Sequence, residues 1–114
     1  LYDRLVLDLE RGEAAQQAAE WGEASAQLLH AQAIVAELNA SLTDVWEGSA
    51  GLRGLYAFVT TTLIEANVGR DAQRTRTCLD LVLPLRDAWH QAAQQVGITA
   101  APAVATAFPA QAHA

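Results

Sequence analysis

The residues able to do chemistry in this chain are few, and their spacing does not suit it. Three histidines, His30, His90 and His113, and one cysteine, Cys78, are the only candidate nucleophiles, strong bases and soft metal ligands. None stands four residues from another, and none belongs to the compact Cys/His spacing that a zinc site requires. Cys78 and His90 fall on one helical pattern but point about 120° apart at 100° per residue. His30 raises the question of phosphotransfer, since histidine phosphotransfer modules are also four-helix bundles. Such modules typically carry Lys three residues and Gly four residues after the histidine, and here those positions hold Ala33 and Ile34. Asp80 and Asp87 share a polar helix face and read as solvated carboxylates, not an acid–base pair. Gly48, Gly51 and Gly54 precede no lysine, so they form no phosphate loop. There is no nucleophile elbow and no triad. The chain is not expected to be an enzyme, and no metal or cofactor is expected.

The three tryptophans read as structural. Trp89 lies on an inward stripe and is assigned to the core. Trp21 and Trp46 fall at loop positions and are assigned to the two ends of the fold, with a binding role as the alternative for Trp46.

The elements that must position all these residues are helices, because the apolar pattern has a period near 3.6 over residues 1–95. Helix 1 is read over 1–19, with Leu1, Tyr2, Leu5, Val6 and Leu9 inward and Gly12, Gln16 and Ala19 completing the stripe. Gly12 on that stripe lowers helix propensity by about 1 kcal/mol relative to Ala but permits a close helix approach. A tight connection at Glu20-Trp21-Gly22 leads to helix 2 over 23–42, and a loop over 43–51 leads to helix 3 over 52–68. Ser49 is read as the N-cap of helix 3, Gly69 as its left-handed terminator and Asp71 as the N-cap of helix 4. Helix 4 is read over 71–95, with Cys78, Val82, Leu85, Trp89 and Ala92 inward and a kink on the solvent side at Pro84. Residues 96–114 hold Ala, Pro and Thr without charge or periodicity, and read as a disordered tail. The expected fold is an all-α, antiparallel up-down four-helix bundle over 1–95, with 96–114 loosely attached.

Helices 2 and 3 are apolar on two faces. In helix 2, Ala24, Leu28, Ala31, Val35, Leu38 and Leu42 form the core stripe, and Ala26, Leu29, Ala33, Ala36 and Ala40 occupy the side that water should meet. In helix 3, Leu52, Leu55, Tyr56, Val59, Leu63 and Ala66 are the core stripe. Ala57, Phe58, Thr61, Ile64 and Val68 lie behind it. A small protein seldom leaves that much apolar surface uncovered, so a partner is expected there. The candidate partner-binding residues are Leu29, Ala33, Ala36, Ala40, Ala57, Phe58, Thr61, Ile64 and Val68.

Composition narrows the partner. The chain has 114 residues, 52% of them hydrophobic, with no lysine, no methionine and a net charge of -6. Residues 1–68 carry ten acids against three arginines, whereas residues 69–95 carry four arginines against three aspartates. An acidic surface of this kind argues against nucleic acid and anionic membranes as partners. The lone Cys78 fits a reducing cytoplasm. Residue 1 already lies in an amphipathic pattern, so no secretory leader is read, and the lack of an initial Met implies that residues precede it. The uncharged run 88–114 is too broken by Gly97, Pro102 and Pro109 to span a membrane.

Several strings, taken in order, resemble one family. Leu1-Tyr2-Asp3, HAQAIVAELNASL at 30–42, GLYAFVTTTLIEAN at 54–67 with Asp71 soon after, and PLRDAW at 84–89 are similar to the FliS-type flagellar secretion chaperones. The resemblance spans about residues 1–93 without large gaps. It implies an antiparallel helical bundle that binds the disordered C-terminal segment of flagellin in the cytoplasm, prevents premature polymerisation and prepares the subunit for type III export. It also implies binding through apolar grooves on the bundle exterior, to which the second faces of helices 2 and 3 correspond. Other flagellar regulators are further candidate partners. The family's tyrosine-containing segment upstream of helix 1 is not part of this sequence, and the tail after residue 95 has no counterpart in the family pattern. The alternative reading is a helical adaptor or homodimerisation module using the same outer faces, the protein being a monomer or a weak homodimer. In a third, the tail itself fills the groove.

Overall fold

A computed structural model describes residues 1–43 and 48–99. Four helices follow in order: α1 (Tyr2–Gln17), α2 (Trp21–Ser41), α3 (Ser49–Val68) and α4 (Ala72–Thr99). Each packs against its sequence neighbours, and α4 closes on α1, so the bundle is an up-down antiparallel ring. The core is made largely of the expected stripes, with Leu5, Leu9, Leu28 and Leu63 almost wholly enclosed; Leu79 of α4 and Ile34 of α2, which the stripes did not include, are buried with them. Trp89 is half-buried against this cluster, as its stripe position implied. Gly12 does permit a close approach: a Cβ there would stand 2.9 Å from Cδ2 of Leu28 on α2.

The boundaries differ from expectation at several points, each for a local reason. Trp21 and Gly22 belong to α2, not to a connection, and the α1–α2 turn is Ala18–Glu20. It closes by a Schellman pattern: the Ala19 N–H reaches the Gln16 carbonyl at 3.0 Å, and the Glu20 N–H reaches Ala15 at 2.8 Å. The same pair of bonds recurs at the α3–α4 turn, from Arg70 to Asn67 at 3.3 Å and from Asp71 to Ala66 at 2.9 Å. The left-handed residues are therefore Ala19 (φ 57°) and Arg70 (φ 52°). Gly69, expected in that conformation, has a helical φ of -85°. Ser49 is not the N-cap of α3 but its first residue, after Gly48, and its hydroxyl donates back to the Thr43 carbonyl. Asp71 does cap α4: its Oδ1 accepts the N–H of Gln73 at 3.0 Å and of Arg74 at 3.3 Å.

α4 runs to Thr99, four residues beyond the expected end, and so takes in the first residues assigned to the tail. It continues through Pro84, which is exposed, where a missing N–H donor is tolerated best. Ala19 and Ala92, placed on inward stripes, are exposed: Ala19 lies in the turn after α1, and Ala92 lies on the part of α4 that runs past the core. Trp46 and residues 100–114 lie outside the described residues.

Buried polar groups link the helices. Thr75 on α4 donates to Gln16 Oε1 on α1 at 2.6 Å, and Gln16 Nε2 donates to the Ala66 carbonyl of α3 at 3.0 Å. The Tyr2 and Tyr56 hydroxyls share a hydrogen bond of 2.6 Å between α1 and α3. Asp8, fully buried on α1, accepts from Arg4 at 3.0 Å and pairs with His30 Nδ1 of α2. These bonds satisfy groups that would otherwise destabilise the interior.

Candidate partner-binding face

The register of α2 on α3 is set by two cross-links. Asn67 Nδ2 donates to Ser25 Oγ at 3.2 Å near one end, and Arg53 Nη1 reaches Asn39 Oδ1 at 3.4 Å near the other. Arg53 also donates to the Leu42 carbonyl at 2.8 Å, closing the end of α2. The outward apolar residues lie one turn from these cross-links. Leu29 follows Ser25 by four, Ala36 precedes Asn39 by three, Ala57 follows Arg53 by four and Ile64 precedes Asn67 by three. Residues three or four apart are neighbours on a helix surface, so these side chains border the α2–α3 seam on its outer side.

All nine residues read from the sequence as partner-binding are exposed. Among the described residues, the large apolar side chains left open to solvent are Leu29 (55%), Phe58 (50%), Ile64 (47%) and Val68 (82%), and every one of them belongs to that set. Leu29, Ala33, Ala36 and Ala40 line the α2 bank, while Ala57, Thr61, Ile64 and Val68 line the α3 bank. Phe58, one residue beyond Ala57, is turned about 100° further around α3 and away from the seam. Half-buried Gln32 and Thr60 lie between the banks. Exposed Glu23, Glu37 and Glu65 border the strip, and half-buried Arg53 stands between the banks at one end; the bank residues themselves carry no charge.

One residue of this face escaped the sequence reading. Gly54 is exposed, precedes Ala57 by three and Thr61 by seven, and a Cβ there would meet nothing within 4 Å. It continues the α3 bank with bare backbone. Its helical spacing to Ala57 and Thr61 was the available signal, obscured by the search for a glycine-rich phosphate loop.

The chemistry-bearing residues are held in structural roles. Cys78 is fully buried with Sγ 3.9 Å from the Val59 carbonyl, and burial pushes its thiol up to about 12. Such a thiol is not poised for nucleophilic work. His30 is tied to Asp8, and His90 Nε2 lies 2.9 and 3.1 Å from the two oxygens of Asp3. Among the described residues, no group of three or more His, Cys, Asp or Glu is placed to hold a metal ion. No helix among them is long and apolar enough to cross a membrane. Trp21 sits at one end of the bundle as expected, half-buried under the Arg70 guanidinium.

Comparison with known proteins gives the bundle a lineage. Residues 1–96 match the family model described as "Flagellar protein FliS". A curated relative, the flagellar secretion chaperone FliS of Bacillus subtilis (strain 168), is 36% identical over 67 residues, which is 59% of this chain and 50% of that protein. The chain thus spans about half the length of the curated relative it matches. The family match takes in α1, α2, α3 and most of α4, including both banks of the outer face, and the chain belongs to the FliS family of flagellar proteins.

Proposed function

We propose that this chain is a flagellar secretion chaperone whose bundle, residues 1–95, holds the disordered C-terminal segment of flagellin. The bound segment lies along the outer α2–α3 face, is kept from polymerising before type III export, and is released from the cytoplasm through the export apparatus. The observation that carries this reading is the confinement of Leu29, Ile64 and Val68, with the alanines between them, to one apolar strip beside a single helix seam. Side chains this small let an incoming helix approach closely. The segment folds as it binds, and its ordering entropy is offset by burial on the order of 1,000–3,000 Å² of surface. Binding is driven by apolar burial, so raising the salt concentration weakens it little.

The test is reconstitution of the chain with a flagellin C-terminal fragment, followed by sedimentation. A 1:1 complex that disappears with Ile64→Glu or Ala36→Glu is the expected outcome, because the carboxylate would be desolvated without a partner. If the same face instead mediates self-association, the wild-type chain alone sediments as a dimer that Ile64→Glu converts to a monomer.

A further inference from the structure

At the end of the α2–α3 seam the two short turns meet around an arginine that holds no carboxylate. The Arg70 guanidinium sits over the Trp21 ring, 5.0 Å from its centroid. That contact uses the π-system of the ring and leaves the guanidinium N–H edges directed elsewhere. Arg70, like Arg11, makes no ion pair among the described residues, whereas Arg4, Arg74, Arg76 and Arg86 each hold a carboxylate; of the two, Arg70 is the one that lines a cleft. The carboxylates nearest to it in sequence are already taken. Glu65 and Asp71 are both bound by Arg74, at 3.1 and 3.2 Å, and the other oxygen of Asp71 caps α4. Arg70 shares its left-handed backbone with Ala19 at the other turn, so that conformation belongs to the turn and the guanidinium is what sets position 70 apart.

Beside this guanidinium is a cleft of about 270 Å³, with Trp21, Ser25, Asn67, Val68 and Arg70 among its walls. Asn67 gives one amide N–H to Ser25 Oγ, which leaves a second amide N–H and the serine proton for an acceptor in the cleft. Val68 belongs both to this cleft and to the apolar strip, so a chain lying on the strip reaches the cleft directly. An uncommitted guanidinium fork with neutral donors next to it is complementary to a carboxylate, which it can bind through two parallel N–H···O bonds.

We propose that the Trp21–Arg70 cleft binds a carboxylate of the segment held on the α2–α3 face and thereby fixes that segment's register; the proposal rests on the binding function above. Apolar side chains give affinity but permit sliding, and a charged anchor at the end of the strip removes that freedom. The carboxylate is either the chain terminus of the segment or an acidic side chain within it.

The first arm of the test is independent of flagellin. N-acetylleucine, titrated into the full chain and followed by NMR, should produce saturable shifts at the Trp21 indole N–H and the Arg70 Nε–H. N-acetylleucine amide should not, and Arg70→Gln, with an otherwise unchanged spectrum, should abolish the response. The second arm uses the flagellin fragment. Arg70→Gln should weaken it about tenfold, as expected for loss of a partly exposed charge-assisted contact. Fragments with an amidated terminus, or with Asp and Glu replaced by Asn and Gln, identify the source: one of them should lose the same factor on the wild-type chain and nothing further on Arg70→Gln. Equal responses to acid and amide, or full fragment affinity in Arg70→Gln, overturn the proposal. If acid-specific shifts appear but the fragment does not bind the wild-type chain, the flagellin reading fails and the carboxylate's assignment to a bound segment falls with it.

Discussion

Asp8 is a carboxylate with no exposed surface, a placement missed in the inward stripe read for helix 1 although it stands three residues after Leu5 and four before Gly12. Its two partners, Arg4 and His30, keep it satisfied. His30→Ala removes one of them, and a loss of about 1–2 kcal/mol in stability is expected, reduced from the fully buried case because His30 is half exposed. The proposed flagellin binding should be unaffected, since His30 lies off the α2–α3 seam; an unchanged melting temperature would show that the pair contributes nothing. Cys78 gives a pH prediction. Burial raises its thiol from 9.0 to about 12, so folding favours the protonated form. That contribution is complete below about pH 9 and is lost as the pH climbs toward 12. Alkylation of Cys78 at pH 8 should therefore be very slow in the folded protein and ordinary in denaturant, and Cys78→Ala should remove part of the alkaline loss of stability. Rapid alkylation of the native chain would contradict the buried placement.

At the scale of the element, the two Schellman turns place alanine and arginine where glycine is the unstrained choice. Ala19 is exposed and its side chain has no role, so Ala19→Gly should stabilise the chain by about 0.5–1 kcal/mol, measured by denaturant unfolding. A destabilisation would mean that the gain in unfolded-state entropy outweighs the relieved strain. α3 offers a sharper comparison, because Leu63 is fully buried and its neighbour Ile64 is 47% exposed. Leu63→Glu should unfold the bundle by placing an unpaired charge in the core, whereas Ile64→Glu should fold within about 0.5 kcal/mol of wild type and lose the partner. Loss of folding in both variants would assign the outer face to the core.

At the scale of the whole molecule, the bundle measures 48 × 25 × 18 Å, and its long axis reflects the 28-residue α4, whereas α2 and α3, of 21 and 20 residues, give the proposed strip a length of about 30 Å. α4 extends past the core: residues 91–95 are all exposed. Truncation after Gln95 is thus expected to lower stability by less than about 2 kcal/mol in thermal unfolding. A larger loss would place the removed residues against the bundle. Truncation that instead tightens flagellin binding would identify the tail as a competitor for the α2–α3 face.

The number and order of helices, most of their core stripes and the second apolar faces of α2 and α3 were legible in the sequence, because the 3.6-residue period fixes which side chains share a side; Asp8, Ile34 and Leu79 at the edges of those stripes were missed. Leu29, Ile64 and Val68 were found this way. Turn chemistry was less legible. Gly69 and Ser49 carry the right residue types for a left-handed terminator and an N-cap, yet Arg70 and Gly48 take those places, since a one-residue shift in a helix end leaves the composition of the turn unchanged. Contacts between residues distant in the chain needed the tertiary structure. Whether the apolar backs of α2 and α3 form one strip depends on the register set by Ser25–Asn67 and Arg53–Asn39. Whether Asp8 meets His30, or Arg70 meets Trp21, depends on how four helices pack, and a periodic pattern in one dimension specifies the face of a helix without specifying its neighbour.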